Sequence, residues 1–164
     1  MFKVHTALDS LYISIFQEAF DSDGPEDGPK ICSVLGAIVL AENPLSPSAI
    51  AMLLDFDSKK VLSLLSPMHP LLIFKESVDH PVWLFHKSFP NFIMYPARCT
   101  KWSFHISFPD HYLKLTIGCL ELMTKGLENN MCRLPDAVAN SGVEDLQRRV
   151  ELYINHTLLY ACKS

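Results

Sequence analysis

The segment ICSVLGAIVLAENPLSPSAIAMLLDFDSKKVLSLLSP, residues 31–67, decides the fold class of this chain. Its first ten residues are apolar almost all round, which predicts a helix that is buried on several sides. An Asn-Pro turn ends that helix. Ser46 followed by Pro47 then predicts the start of a second, with the serine as its N-cap and the proline in its first turn. Asp57 or Ser58 is suited to cap a third helix, which stops before the next proline. We therefore expect three short helices in succession.

A β-hairpin is predicted directly after these helices. Residues 71–74 (LLIF) and residues 82–85 (VWLF) are short β-type runs, and a polar connector at 77–81 separates them. Three helices followed by a hairpin is the arrangement of a winged-helix domain. We assign residues 29–95 to such a domain.

Helical segments are predicted on both sides of this domain. Residues 4–19 repeat apolar side chains at steps of three and four, which predicts an amphipathic helix. The stretch DSDGPEDGP (21–29) holds two Gly-Pro pairs and four acidic residues, which predicts an exposed linker. Residues 1–28 are thus an N-terminal helix and an acidic Gly/Pro linker. The C-terminal helical region, residues 96–164, contains predicted helices at 109–127 and 143–161. The predicted fold is mainly α: a winged-helix domain flanked by an N-terminal helix and a C-terminal helical region.

The composition indicates a folded protein with much apolar surface. Hydrophobic residues make up 49% of the 164 residues and charged residues 20%, and the mean hydropathy is +0.16. Such a chain carries more apolar surface than it buries alone, so we expect a partner or self-association through exposed apolar surface. The net charge of −4 and the lack of a basic run argue against nucleic-acid binding, which relies on clustered Lys and Arg.

The sequence lacks the signals of a secreted or membrane protein. No run reaches the roughly 18 to 20 apolar residues that a membrane span requires, and the N-terminus, MFKVHTALDS, lacks the apolar core of a signal peptide. The five cysteines, an odd number without a C-x-x-C pair, suit reduced and mostly buried thiols. We expect a cytoplasmic protein that makes no contact with a membrane.

Motifs for catalysis and for nucleotide or metal binding are absent from the sequence. It contains no G-x-x-x-x-G-K-[ST], no G-x-G-x-x-G, no G-x-S-x-G and no H-E-x-x-H. No pair of histidines lies at i, i+4 on one helix with a carboxylate, so no metal site is expected. Ser88 lies two residues from His86, and this pair is no catalytic triad. We therefore predict that the chain is not an enzyme.

His86 is the one candidate functional residue. It follows the second strand of the predicted hairpin, and Ser88 is placed to cap a short helix predicted at 89–94. From the chemistry of the residues alone a structural role is favoured, in which the imidazole bonds a neighbouring backbone carbonyl, because an isolated histidine is seldom a ligand.

Several short motifs, in consistent order along the chain, resemble those of one protein family. They are VLGAIVL (34–40) with NPLS (43–46), LFHKSFPNF (84–92), PARC (96–99), and the stretches that begin at His111 and at Asn129. Together they resemble the winged-helix and following helical region of fungal, mushroom-type NACHT proteins, which are STAND-class, NLR-like signalling NTPases.

The resemblance implies a regulatory role without catalysis. In that family a NACHT module binds ATP or ADP and a winged-helix domain packs over the nucleotide. A winged-helix histidine then reaches the ADP β-phosphate and holds the inactive state. His86 matches that histidine within the H-x-S-F motif. The implied function is that of a non-catalytic interaction segment that binds no cofactor alone. It would pack on a NACHT ATPase core, in cis or in trans, and that core would supply the ATP or ADP.

Two alternatives stay open at the level of sequence. A winged-helix nucleic-acid-binding protein would use residues 58–66 as its recognition helix, although that stretch carries only Lys59 and Lys60 as cations. The other alternative is a truncated remnant without independent activity.

Overall fold

The computed structural model describes residues 6–23, 27–99, 104–134 and 142–163, and within them the chain is mainly helical. In chain order the elements are α1 (Thr6–Asp23), α2 (Gly28–Leu40), α3 (Pro47–Leu54), α4 (Ser58–Leu65), a 3₁₀ turn (Ser66–Met68), β1 (Leu72–Ile73), β2 (Trp83–Leu84), α5 (Phe89–Ile93), α6 (Phe108–Gly126), α7 (Leu146–Tyr153) and α8 (His156–Ala161). The mainly α fold class is therefore confirmed. The chain forms two compact units, residues 1–115 and residues 116–164. Both predicted domain boundaries, after residues 28 and 95, fall inside the first unit.

α1 presents aromatic side chains to the core of the first unit. Tyr12 and Phe16 are buried one turn apart, and the Phe16 ring stacks on Phe89 at a centroid distance of 5.9 Å. The helix predicted at 4–19 is thus present, with its first two residues outside the described part of the chain. Leu11, a member of the predicted apolar stripe, is exposed instead. The aromatic rings bury more area than leucine does, so they decide which face of the helix turns inward.

The prediction of an exposed linker at 21–29 is wrong for most of the described residues, which belong to helices. α1 continues to Asp23, and α2 begins at Gly28 with Pro29 in its first turn. Residues 24–26 lie outside the described residues. Proline is compatible with the first turn of a helix because the N–H group that it lacks has no intrahelical partner there. The second Gly-Pro pair therefore starts a helix.

Asp27, which the linker prediction left in solvent, ties two helices of the first unit together. Its carboxylate accepts hydrogen bonds from Lys60 Nζ on α4 at 2.6 Å and from Lys30 Nζ on α2 at 3.3 Å. These hydrogen bonds, the one from Lys60 first, lower the pKa of Asp27 below its usual value.

α3 and α4 start where the sequence predicts. Ser46 Oγ accepts a hydrogen bond from the N–H of Ala49 at 3.2 Å. Asp57 Oδ1 accepts from two backbone N–H groups in the first turn of α4, at 2.9 and 3.0 Å, so Asp57 rather than Ser58 is the N-cap. α2, α3 and α4 pack on one another. Their most deeply buried side chains are Leu35, Ile50 and Val61.

The hairpin is present but shorter than predicted. β1 and β2 pair antiparallel, with Leu72 opposite Leu84 and Ile73 opposite Trp83. At the end of the hairpin near the connector, the N–H of Val82 does not pair with β1. It donates to the carbonyl oxygen of Leu45 at 2.9 Å. This bond joins the hairpin to the segment before α3 and ends the ladder early.

The last predicted helix is interrupted. In place of one helix at 143–161, α7 ends at Tyr153 and α8 begins at His156. Asn155 lies between them in an extended conformation, and its side-chain oxygen accepts the N–H of Leu158 at 2.7 Å. Asn155 is therefore the N-cap of a new helix. The apolar pattern continues across the break, so periodicity alone predicted one helix.

α6 confirms the helix predicted at 109–127, but the predicted apolar face lies on the surface. The side chains of that face are between 46% and 58% exposed: Leu113, Ile117, Leu120 and Leu127. An exposed apolar stripe of this size is unusual for a helix that packs only within its own chain.

Candidate functional site

His86 lies directly after β2 with its side chain in solvent. The backbone around it is fixed by two hydrogen bonds. The N–H of Phe85 donates to the carbonyl oxygen of Leu71 at 2.9 Å, and the N–H of Phe89 donates to the carbonyl oxygen of His86 at 3.1 Å. The hairpin on one side and α5 on the other thus hold the peptide that carries the imidazole.

Ser88 does not cap α5 through its side chain, which corrects the prediction. No side-chain hydrogen bond closes the first turn of α5. Instead the N–H of Ser88 donates to His86 Nδ1 at 3.2 Å, and Ser88 Oγ lies 2.8 Å from the same nitrogen. The hydroxyl that was expected to serve the helix is therefore turned to the histidine.

The backbone contact also decides which ring nitrogen carries the proton. A backbone N–H can only donate, so His86 Nδ1 must accept, and the neutral ring then holds its proton on Nε2. This differs from the structural role favoured by chemistry alone, in which the ring would donate to a backbone carbonyl. Nε2 makes no hydrogen bond to any described residue. The exposed nitrogen is thus a hydrogen-bond donor that faces solvent.

Tyr12 is a member of this cluster that sequence reasoning missed. Its hydroxyl oxygen lies 2.9 Å from Ser88 Oγ, although the two residues are 76 positions apart. The Tyr12 ring is buried and contacts Phe89 edge-on at a centroid distance of 5.5 Å and Phe92 at 5.0 Å. The signal in the sequence was a tyrosine on the apolar face of a helix, because a buried tyrosine hydroxyl needs a polar partner.

Asp9, one turn before Tyr12 on the same helix, forms a buried ion pair with Arg98. Arg98 donates from Nε to Asp9 Oδ2 at 3.1 Å and from Nη2 to Asp9 Oδ1 at 2.5 Å. The two side chains are only 10% and 8% exposed. The hydrogen bond to Asp9 raises the pKa of the Arg98 guanidinium. This pair was also missed, although Arg98 belongs to one of the motifs that carry the family resemblance.

Apolar side chains and a cation accompany His86 at the surface. Ile73 and Trp83, which face each other across the two strands, are each 53% exposed, and Phe85 is 67% exposed. Lys87, the next residue after His86, is exposed as well. We call Ile73, Trp83 and Phe85 the hairpin apolar face. An outward N–H donor beside a lysine suits an oxygen atom of an anion.

α4, the recognition helix of the nucleic-acid alternative, offers little positive charge. Lys60 is paired with Asp27, which leaves Lys59 as the one cation of this helix without an ion pair among the described residues. A cleft of about 360 Å³ lies beside α4, and the stacked rings of His69 and Phe74, 4.2 Å apart, form part of its wall. Glu76 also lines it, so the cleft has no uniform positive field.

Reactive thiols, metal ligands and membrane-spanning helices are further features that would bear on function in the described part of the chain. The five cysteines carry thiols, and of these Cys162 is exposed. Among the residues that the structure describes, no group of three or more His, Cys, Asp or Glu side chains is placed to hold a metal ion. Within the same residues, no helix has the length and the apolar character needed to cross a membrane.

No family model, no curated protein and no solved structure matches this chain. The resemblance to NACHT proteins therefore rests on the sequence motifs alone.

Proposed function

We propose that this chain is a non-catalytic regulatory segment of a cytoplasmic, fungal NACHT-type signalling NTPase. In this proposal residues 29–95 are a winged-helix domain that packs on the ATPase core, and His86 contacts a phosphate of bound ADP in the closed, inactive state. The observation that carries the proposal is the hydrogen-bond state of His86. Nδ1 is occupied within the chain, and Nε2 is left as an exposed donor.

The energetic requirement on such a contact is modest. A hydrogen bond to a charged group contributes about 1.5 to 3 kcal/mol, which changes an equilibrium by a factor of roughly 10 to 100. A contact made only in the closed state shifts the balance between closed and open states by that whole factor. One histidine can therefore act as a switch without any catalytic role.

The hairpin apolar face supports a macromolecular partner next to the phosphate contact. Trp83 and Phe85 precede His86 by three residues and by one, and both are more than half exposed. Large aromatic side chains of this kind are enriched at protein interfaces and depleted elsewhere on the surface. We assign this face to the ATPase core, in cis or in trans, which is the partner that brings the nucleotide.

The test compares His86→Ala with the wild type in complex with the nucleotide-binding core, whether that core is encoded in frame or as a separate chain. Size-exclusion chromatography with bound ADP measures the oligomeric fraction. We expect His86→Ala to raise the ratio of oligomer to monomer about 10- to 100-fold.

His80→Ala is the matched control, because His80 is also exposed and makes no hydrogen bond to the described residues. Its ratio of oligomer to monomer should equal that of the wild type. Equal behaviour of His86→Ala and His80→Ala would refute the phosphate contact. The regulatory role itself would be refuted if no nucleotide-binding core from the same genome, in frame or separate, binds this chain.

A further inference from the structure

We propose that α1 braces His86 through Tyr12 and Ser88, so that docking of the N-terminal helix fixes the ring in the tautomer with its proton on Nε2. The three side chains form a continuous chain of hydrogen bonds, with 2.9 Å between Tyr12 Oη and Ser88 Oγ and 2.8 Å between Ser88 Oγ and His86 Nδ1. Tyr12 and Ser88 are positioning residues, since neither faces the ligand that His86 would contact.

The direction of each hydrogen bond follows from one backbone group. The N–H of Ser88 can only donate to His86 Nδ1, so this nitrogen has a lone pair and no proton. The Ser88 hydroxyl must then donate to Nδ1 as well. Its oxygen is left to accept from the Tyr12 hydroxyl. All donors thus point from α1 towards the histidine, an arrangement in which neighbouring hydrogen bonds strengthen one another.

α1 is held where this chain of hydrogen bonds requires it. The Tyr12 ring packs against Phe89 and Phe92 of α5, directly after Ser88. Asp9, three residues before Tyr12 and so on the same side of α1, holds Arg98 in the buried ion pair. Every one of these partners lies between residues 86 and 98. The N-terminal helix therefore docks on the segment that carries His86.

This arrangement gives α1 control over the exposed donor. If α1 leaves its place, Ser88 Oγ loses its donor from Tyr12, and the Ser88 side chain is free to rotate away from the ring. His86 Nδ1 then keeps only the hydrogen bond from the Ser88 N–H, which at 3.2 Å is the longer of its two contacts. With this one donor the preference for the Nε2 tautomer is weaker, and the ring presents the Nε2 proton for only part of the time. The regulatory meaning of the brace rests on the proposed phosphate contact, whereas the tautomer itself does not.

The experiment records long-range ¹H–¹⁵N correlations of the histidine side chains in the uniformly ¹⁵N-labelled full chain. The pH is 8, above the usual histidine pKa of about 6.5. His86→Gln identifies the His86 signals by their loss. In the wild type we expect one tautomer, with the ¹⁵N shift of an unprotonated Nδ1 and of a protonated Nε2. A protonated Nδ1 in the wild type would overturn the proposal.

Variants then test the two positioning residues. Ser88→Ala and Tyr12→Phe should move the His86 Nδ1 and Nε2 shifts towards each other, as expected for averaging between tautomers, while Ser88→Thr should restore the wild-type shifts. Tyr153→Phe is the control, because the Tyr153 hydroxyl makes no hydrogen bond to the described residues. Tyr12→Phe keeps the ring that packs in the core, so it tests the hydroxyl even if Ser88→Ala folds poorly.

Unchanged His86 shifts in Tyr12→Phe, with the fold intact by circular dichroism, would overturn the role of α1. The measurement needs no nucleotide and no ATPase core. A normal tautomer signature together with an inert His86→Ala in the oligomer assay would therefore refute the proposed function while leaving the brace in place.

Discussion

Replacing Asp9 with asparagine should destabilise the first unit by about 3 kcal/mol, because it leaves a buried guanidinium without its counter-charge. The two hydrogen bonds of 3.1 and 2.5 Å join side chains that are only 8% and 10% exposed. Solvent therefore screens the pair little. Asparagine has nearly the same shape as aspartate and keeps one acceptor oxygen, so the loss reports charge rather than packing.

The two single variants should differ in a defined direction. Arg98→Met orphans a carboxylate, which can take up a proton, whereas Asp9→Asn orphans a guanidinium, which stays charged at any accessible pH. Asp9→Asn should therefore be the more destabilising of the two. Replacing both residues together, as Asp9→Leu with Arg98→Met, should cost less than Asp9→Asn alone, because apolar substitutes of similar volume often equal a buried ion pair in stability.

Thermal unfolding followed by circular dichroism measures these differences. For a chain of this length a loss of 3 kcal/mol corresponds to a decrease in Tm of about 6 to 12 °C. Glu121→Gln is the control, since Glu121 and Lys125 form an exposed ion pair at 3.6 Å and such pairs contribute roughly 0 to 1 kcal/mol. The reasoning is refuted if Asp9→Asn lowers the Tm no more than Glu121→Gln does.

Three further predictions concern single residues. Gly36→Ala should lower the free energy of unfolding by about 1 to 3 kcal/mol in urea titrations. The added methyl group would overlap the ring of His111, which its own hydrogen bond to a backbone carbonyl holds in place; a stabilised variant would contradict this. Asn155→Ala should cost about 1 kcal/mol and fray α8, measured by hydrogen exchange, because it removes the N-cap; unchanged exchange would count against the break. At pH 8 iodoacetamide should modify exposed Cys162 well before Cys32, whose pKa burial raises to about 11. Mass spectrometry checks the order, and simultaneous modification would contradict the burial of Cys32.

Local chemistry was enough to predict where α3 and α4 begin. Ser46 and Asp57 cap their helices with side-chain oxygens, and such caps involve residues only two or three positions apart. The same local reasoning failed at two helix starts. Gly28-Pro29, a pair that often ends a helix, begins α2, and Asn155 caps α8 within a stretch predicted as one helix. Both starts follow capping chemistry, whereas apolar periodicity and the usual helix breakers indicate different boundaries.

The pairs that hold the candidate site together could not be predicted in this way. Tyr12 and Ser88 are 76 residues apart, and Asp9 and Arg98 are 89 apart. Periodicity identified α1 as an amphipathic helix without showing which segment it would contact. A polar residue on the apolar face of a helix, such as Asp9 or Tyr12, indicates that a partner exists, but a single sequence does not name it.

Apolar periodicity also failed to distinguish a buried face from an exposed one. The stripe of α6 that includes Leu113, Ile117 and Leu120 has the spacing of a core face, yet it lies in solvent. The hydrophobic effect favours removing such a stripe from water without specifying what covers it. The high mean hydropathy of the chain thus reflects apolar side chains on the surface as well as in the core. The sequence alone does not show which apolar residues are exposed.

The contacts of His86 differ from those that the sequence predicts. The short spacing in His86-Lys-Ser88 placed both side chains at the start of α5, and a serine in that position usually serves the helix. In the structure the backbone N–H of Ser88 donates to His86 Nδ1. This nitrogen is therefore an acceptor, whereas the expected bond to a backbone carbonyl would have made the ring a donor. The ring then has no proton to give to a backbone carbonyl from Nδ1, and its remaining proton lies on the exposed nitrogen. A histidine with its inner nitrogen satisfied and its outer nitrogen free is suited to meet a ligand from outside the chain, whereas one that donates inward would be a structural element only.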